Sequence, residues 1–139
     1  MKLLNNYLNY FEDAFLIQKA ERYDVKGRKY IGSPQKYYLT DVGLRNACIG
    51  FRQIEENHLM ENIIYNELIY REYSVDVGIV SYNYKDQNGK SNRVNYEVDF
   101  VATKGNAKFY IQSAFAINDE QKRMQETNSL IRIDDFYKK

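Results

Sequence analysis

The chain has 139 residues, the size of one domain, and its 44% hydrophobic content suffices for a single core. Its 20 lysines and arginines nearly cancel its 19 aspartates and glutamates, which excludes a global positive field that would recruit nucleic acid. The single Cys48 excludes an internal disulfide, and no apolar run approaches the roughly 20 residues that cross a bilayer. We therefore expect a cytoplasmic protein with no membrane partner.

Residues 1–39 predict a helix followed by a two-stranded ribbon. Apolar residues recur at helical spacing over the first turns, at Leu4, Leu8, Phe11 and Phe15. Residues 15–23 and 35–39 have the composition of strands on either side of a turn at Lys26-Gly27. A helix leading into such a ribbon is the last part of a winged helix, so residues 1–39 are predicted to form a partial winged-helix element.

Residues 40–139 predict a helical region, three strands and a final helix. Thr40 is the predicted N-cap of a short helix that ends at Ala47, and a longer helix begins at about Gln53 or at His58 and ends at Glu72. Strands are predicted at 74–84, 91–103 and 107–115, and Asn118 is predicted to cap the last helix. The class is therefore α+β, with an antiparallel three-strand meander and a last strand missing. The missing strand leaves a bare sheet edge, which favours a homo-oligomer formed by strand pairing.

Polar side chains converge on the second and third strands of this meander. Successive residues of a strand point to opposite sides of the sheet. Glu97 and Asp99 are therefore predicted to share one face, and Val98 and Phe100 the other. A hairpin between the strands makes Asp99 and Gln112 cross-strand neighbours.

This arrangement, together with Glu61 on the preceding helix, resembles the PD-(D/E)xK nucleases. The resemblance implies a restriction-endonuclease-like core with Glu61, Asp99 and Gln112 in the catalytic positions. It also implies Glu61, Asp99 and Glu97 as ligands of Mg²⁺, which prefers oxygen donors.

Two residues depart from the nuclease pattern. Gln112 is neutral where the family usually has a carboxylate, and Ala114 stands where it has a lysine. Loss of one such transition-state contact costs about a hundredfold to a thousandfold in rate. These departures predict an inactive site. In the alternative, a metal-dependent DNA nuclease uses a displaced cation, for which Lys108, Lys122 and Arg123 are the candidates.

A second resemblance covers most of the chain. The segments 7–17, 36–46, 58–62 and 97–100 are similar to the C-terminal domain of unknown function that follows the ATPase module in bacterial and archaeal AAA-type ATPases. The resemblance implies that the chain is part of a longer protein whose ATPase module is its partner in cis. These 139 residues contain no phosphate-loop motif, so ATP binding is expected only in that other module and no cofactor is expected here.

The predicted function is therefore an accessory domain that binds nucleic acid or a protein partner. Four basic residues near the predicted wing, Lys26, Arg28, Lys29 and Lys36, are the candidates for contacts with DNA phosphates. His58 is the only histidine, which argues against a zinc site.

Overall fold

The computed structural model describes residues 2–52 and 55–139 and confirms the α+β class. Four helices and five strands follow the predicted order: α1 (Lys2–Asp13), β1 (Ile17–Asp24), β2 (Lys29–Leu39), α2 (Val42–Cys48), α3 (Glu56–Tyr70), β3 (Ser74–Lys85), β4 (Ser91–Lys104), β5 (Ala107–Ile111) and α4 (Glu120–Ile131). No helix in these ranges is long and apolar enough to span a membrane.

One sheet contains all five strands, in the order β2-β1-β3-β4-β5. The meander β3-β4-β5 is antiparallel as predicted, and β1 joins it by parallel pairing with β3 through Arg22, Tyr23 and Asp24. The N-terminal ribbon is thus continuous with the sheet of the second half. The boundary predicted between residues 39 and 40 passes through a shared sheet and a shared core.

Each face of the sheet carries its own core cluster. Helix α3 covers the cluster that contains Tyr38, Tyr65 and Phe100, where the two tyrosine rings stack with centroids 4.1 Å apart. The opposite cluster contains Val80, Val98, Val101, Tyr110 and Ile133, against which Leu130 of α4 packs. Burial of aromatic and branched side chains on both faces explains why β3 and β4 are rich in Val, Ile and Phe.

A β-bulge in β4 reverses the predicted alternation. Gly78 pairs with Val98 and Asp76 pairs with Val101, so Val77 alone on β3 faces both Asp99 and Phe100 on β4. Val98 and Phe100 were predicted to share a face, and this prediction is wrong because the extra residue moves Phe100 to the α3 side. Because of the bulge, the side chains of Asp99 and Phe100 both lie on the α3 side of the sheet.

The helix caps differ from the predictions by one residue. Asp41 Oδ1 accepts from the backbone N–H of Leu44 at 2.9 Å and caps α2, while the Thr40 hydroxyl donates to the carbonyl of Phe15. Asp119, rather than Asn118, caps α4 by accepting from the Lys122 N–H. In both cases an aspartate three residues before the donating N–H is better placed than its neighbour to accept from that N–H.

The start of α3 and the end of β5 can be compared with the predictions. Helix α3 begins at Glu56, between the two predicted starts, and Gln53 lies outside the described residues. Strand β5 ends at Ile111, four residues before the predicted end at 115.

The outer edge of β5 is not entirely bare. The backbone N–H of Tyr110 donates to the carbonyl of Lys138 at 2.9 Å, and Phe109 forms a parallel bridge with Lys138. The C-terminal residues therefore return to the edge where the missing strand was predicted. They cover it at one point, and homo-oligomer formation through this edge stays a prediction.

Candidate functional site

Glu61 lies where α3 meets the sheet, and it is only 9% exposed. The next residue fixes this position, since the Asn62 amide group accepts from the backbone N–H of Leu39 at 3.0 Å and donates to its carbonyl at 2.7 Å. These two bonds fasten α3 to the end of β2. The Tyr38 hydroxyl then donates to Glu61 Oε1 at 2.6 Å, and burial together with this bond raises the pKa of Tyr38.

Lys36 is the cation that compensates Glu61. Its Nζ atom lies 2.5 Å from Glu61 Oε1 and 3.3 Å from Glu97 Oε1, and Arg22 holds the other oxygen of Glu97 at 2.7 Å. Burial lowers the pKa of Lys36, but the contacts with Glu61 and Glu97 outweigh it and raise the pKa above its ordinary value. Two cations and two carboxylates thus form one ion-pair network at the edge of the site.

Asp99 lies beyond this network and accepts hydrogen bonds from Ser113, the second residue after the end of β5. The backbone N–H and the hydroxyl of Ser113 both donate to Asp99 Oδ2 at 2.7 Å. Burial raises the pKa of Asp99, the two bonds from Ser113 lower it, and the nearby Glu61 raises it again, with a net upward shift. The carboxyl group of Asp99 therefore binds a proton more readily than an exposed aspartate.

Glu61, Asp99 and Ser113 line a cleft of about 310 Å³. We call it the carboxylate cleft. Its walls include the three residues predicted for the catalytic positions and the alanine that replaces the lysine: Glu61, Asp99, Gln112 and Ala114. The carbonyl of the Gln112 side chain accepts from the Ser129 hydroxyl of α4 at 3.3 Å. The structure thus brings the predicted residues together from α3, β4 and the segment after β5.

The predicted metal ligands do not fit Mg²⁺. In the parts of the chain that the structure describes, no three acidic, histidine or cysteine side chains cluster closely enough to hold a metal ion. Glu97 pairs with Arg22 and Lys36 instead of lining the cleft, and Glu61 already accepts from an ammonium group and a hydroxyl. Both contacts are made with Oε1 of Glu61, so a divalent cation at that oxygen would compete with Lys36.

Of the candidates for a displaced lysine, Lys122 lines the carboxylate cleft and pairs with Glu126 at 2.6 Å. Lys108 lies in a different cleft, and Arg123 is not among the residues that line the carboxylate cleft. His58 also lines it and contacts Glu55 at 2.9 Å.

The four basic residues predicted for nucleic-acid contacts do not form one patch. Lys26 and Arg28 line a second cleft, beside the β1–β2 turn. Lys29 is exposed at the start of β2, and Lys36 points to Glu61. The prediction from sequence missed the role of Lys36, although its position two residues before Tyr38 indicated a contact with a carboxylate. Lys36 and Tyr38 alternate onto the same face of a strand, and a lysine beside a buried tyrosine needs a carboxylate partner.

Comparison with known proteins finds a family model and two longer proteins that are similar to this chain. A family model described as a domain of unknown function (DUF8612) matches residues 1–55. The chain is 37% identical over 136 residues to an uncharacterized protein of Haemophilus influenzae, a match that covers 98% of this chain and 30% of that protein. It is 29% identical over 120 residues to the uncharacterized protein MJ1544 of Methanocaldococcus jannaschii, covering 86% of this chain and 24% of that protein. The chain therefore spans less than a third of the length of either relative. No solved structure matches it.

Proposed function

We propose that this chain is a non-catalytic accessory domain of an AAA-type ATPase, with a core that resembles restriction endonucleases. The observation that carries the proposal is the Lys36 ammonium group at 2.5 Å from Glu61. A nuclease of this class needs that carboxylate for a metal ion. Here an internal cation uses it, and Tyr38 donates to the same oxygen.

Removing Lys36 from Glu61 to admit a metal ion would be costly. Glu61 is nearly buried, and the ammonium group would lose the closer of its two carboxylate partners in a place where burial already disfavours its charge. A buried charge without its partner is strongly destabilising. The ion-pair network therefore competes with a metal ion for Glu61.

The chemistry of the remaining residues supports the same proposal. The amide of Gln112 is a weaker ligand than a carboxylate, and it already accepts from Ser129. Ala114 lines the cleft without supplying an amine. Phosphodiester cleavage would lack both a ligand and a transition-state contact.

The ATPase association rests on the four sequence segments that resemble such C-terminal domains. The greater length of both relatives agrees with it, since a chain that covers 30% of one and 24% of the other leaves room for a further module. In this proposal ATP binds in that module, and the domain acts on nucleic acid or a protein partner.

The test is a cleavage assay on plasmid and linear DNA with Mg²⁺ or Mn²⁺, comparing the chain with its Asp99→Ala variant. We expect no cleavage above the level of the variant. Cleavage that requires both the metal ion and Asp99 would overturn the proposal.

One observation favours a second candidate, a metal-dependent DNA nuclease. Lys122 lines the same cleft as Asp99 and Glu61 and could take the place of the missing lysine. If the chain cleaves DNA, Lys122→Ala should abolish cleavage, whereas the matched change Arg123→Ala, outside the cleft, should leave it unchanged.

A further inference from the structure

A second cleft, of about 510 Å³, lies between the β1–β2 turn and the C-terminal residues. We call it the tyrosine cleft. Three tyrosines contribute to its walls: Tyr23, Tyr110 and Tyr137. None of its lining residues is shared with the carboxylate cleft. The tyrosine cleft is therefore a separate site.

The tyrosine cleft is built on fixed elements of the fold. Tyr110 is buried in β5, and its hydroxyl donates to Asp135 Oδ2 at 2.5 Å. Asp135 Oδ1 in turn accepts from the backbone N–H of Tyr137 at 3.1 Å. Together with the bond from the Tyr110 N–H to Lys138, these contacts hold the C-terminal wall against the sheet. The Tyr137 ring remains 45% exposed beside the cleft.

Three cations face this aromatic surface: Lys26, Arg28 and Lys108. Lys108 Nζ lies 5.4 Å from the ring centre of Tyr23 and 5.1 Å from that of Tyr137. Within residues 2–52 and 55–139, none of the three forms a salt bridge with a carboxylate. The three cations are therefore free to contact an anion.

We propose that the tyrosine cleft binds single-stranded nucleic acid. Cations that track a phosphate backbone, next to aromatic rings on which bases stack, are the features that recognise a single strand. A duplex would satisfy only the cations, because its bases are stacked inside the helix and cannot reach Tyr137. The cleft volume lies in the range of sites for a small molecule or a single nucleotide. The proposal deepens the binding role given above, on which it rests, and assigns it to this cleft.

The acidic residues of the cleft are compatible with this ligand. Asp135 is engaged by Tyr110 and Tyr137, so it supports the wall. Asp134 is exposed at the cleft and adds a negative charge that opposes phosphate binding. Its removal should strengthen binding, which provides a variant with an effect of opposite sign.

The experiment is fluorescence anisotropy of a labelled single strand, as DNA and as RNA, titrated with the 139-residue chain in EDTA at low ionic strength. A duplex of the same sequence and a nucleoside monophosphate serve as competitors. EDTA prevents metal-dependent cleavage, so this assay measures binding alone. Asp99-dependent cleavage in the separate assay would then reject the non-catalytic assignment without affecting the binding result.

We expect the single strand to bind more tightly than the duplex. Combining Lys26→Ala with Arg28→Gly should weaken binding and reduce the slope of log affinity against log salt by about 1.4, or roughly 0.7 per lost phosphate contact. Glycine is chosen because Arg28 has a φ of 51°, which glycine adopts readily. Tyr137→Ala should weaken binding by about fivefold to 150-fold, the range for one stacked base.

The matched control combines Lys19→Ala with Arg52→Ala. It removes the same charge from two exposed residues that line neither cleft, and it should leave affinity unchanged. Asp134→Asn should tighten binding. Circular dichroism of each variant verifies folding.

Three results would overturn the proposal. One is equal weakening by the control pair and by the cleft pair. Another is a strand affinity no better than that of the duplex or the monophosphate. The third is no binding at all, which would leave a protein as the ligand of the binding role.

Discussion

Lys36→Met provides the most direct test of the ion-pair network. The substitution keeps the length of the apolar stem and removes the ammonium group that lies 2.5 Å from Glu61 and 3.3 Å from Glu97. Glu97 retains Arg22 at 2.7 Å, whereas among the residues that the structure describes Glu61 retains only the Tyr38 hydroxyl. The substitution therefore leaves one nearly buried carboxylate without a cation.

The expected loss of stability follows from the burial of the two partners. Breaking a fully buried ion pair costs about 3–5 kcal/mol. The Lys36 side chain retains 28% exposure and that of Glu61 retains 12%, so solvent screens part of the interaction. We expect the free energy of unfolding to fall by about 2 kcal/mol, below the fully buried range.

Urea denaturation at neutral pH, followed by circular dichroism, measures this change. Lys29→Met, on the same strand but exposed, is the matched control and should change stability by less than about 0.5 kcal/mol. The double variant Lys36→Met/Glu61→Gln should recover much of the loss, because no buried charge is left unpaired. Equal stability of Lys36→Met and wild type, or additive effects in the double variant, would refute the ion-pair interpretation of the site.

Further predictions concern neighbouring residues. The raised pKa of Asp99 means that the folded state favours the protonated carboxyl group, which Asp99→Asn mimics. The variant should therefore have a higher Tm than the wild type at pH 7. This difference should disappear below pH 3.8, the ordinary pKa of the aspartate, and Tm measured across pH checks it. Tyr38→Phe removes a donor to a buried carboxylate and should cost about 1.5–3 kcal/mol in urea denaturation. Gly78→Ala would place its Cβ 2.9 Å from Val101 Cγ2 and should cost about 1–3 kcal/mol, whereas Gly32→Ala, with nothing within 4 Å, should be nearly neutral.

Local patterns in the sequence predicted the order of the elements and the proximity of Asp99 to Gln112, whereas Glu61 was placed with them by the resemblance to the nucleases. Apolar spacing identifies helices and strands, and a short turn fixes the hairpin that brings Gln112 next to Asp99. These features depend only on neighbours along the chain. They were therefore accessible without knowledge of the tertiary contacts.

The features that sequence reasoning missed depend on partners distant in the chain. Lys36 lies in β2 and Glu61 in α3, and α2 stands between them in the chain. From the sequence alone, the positive charge of Lys36 suggested a phosphate contact. The bulge at Asp99 and Phe100 follows from pairing with β3, which no alternation pattern reveals. Parallel pairing of β1 with β3 likewise joins segments that are more than 50 residues apart at Arg22 and Val77.

The charge balance of the carboxylate cleft leads to a last prediction, at Gln112. A divalent ion brings two positive charges, whereas Lys36 brings one. The present site can therefore neutralise fewer carboxylates than a metal site can. A neutral amide at 112 agrees with this balance. Gln112→Glu would add a fourth carboxylate to a cleft that Glu61, Asp99 and Glu126 already line, without a new cation, and burial already raises the pKa of Asp99.

We expect Gln112→Glu to lower stability in EDTA by on the order of 1 kcal/mol, or about 3–4 °C in Tm. The bond from Ser129 can be retained, because a carboxylate oxygen also accepts, so the loss reports charge rather than a missing contact. Thermal denaturation with and without Mn²⁺ provides the measurement, and Gln121→Glu, exposed on α4, is the matched control. An unchanged Tm in EDTA would contradict the charge argument. Mn²⁺ that stabilises the variant but not the wild type would show that the neutral amide of Gln112, and not Lys36 alone, keeps a metal ion out of the cleft.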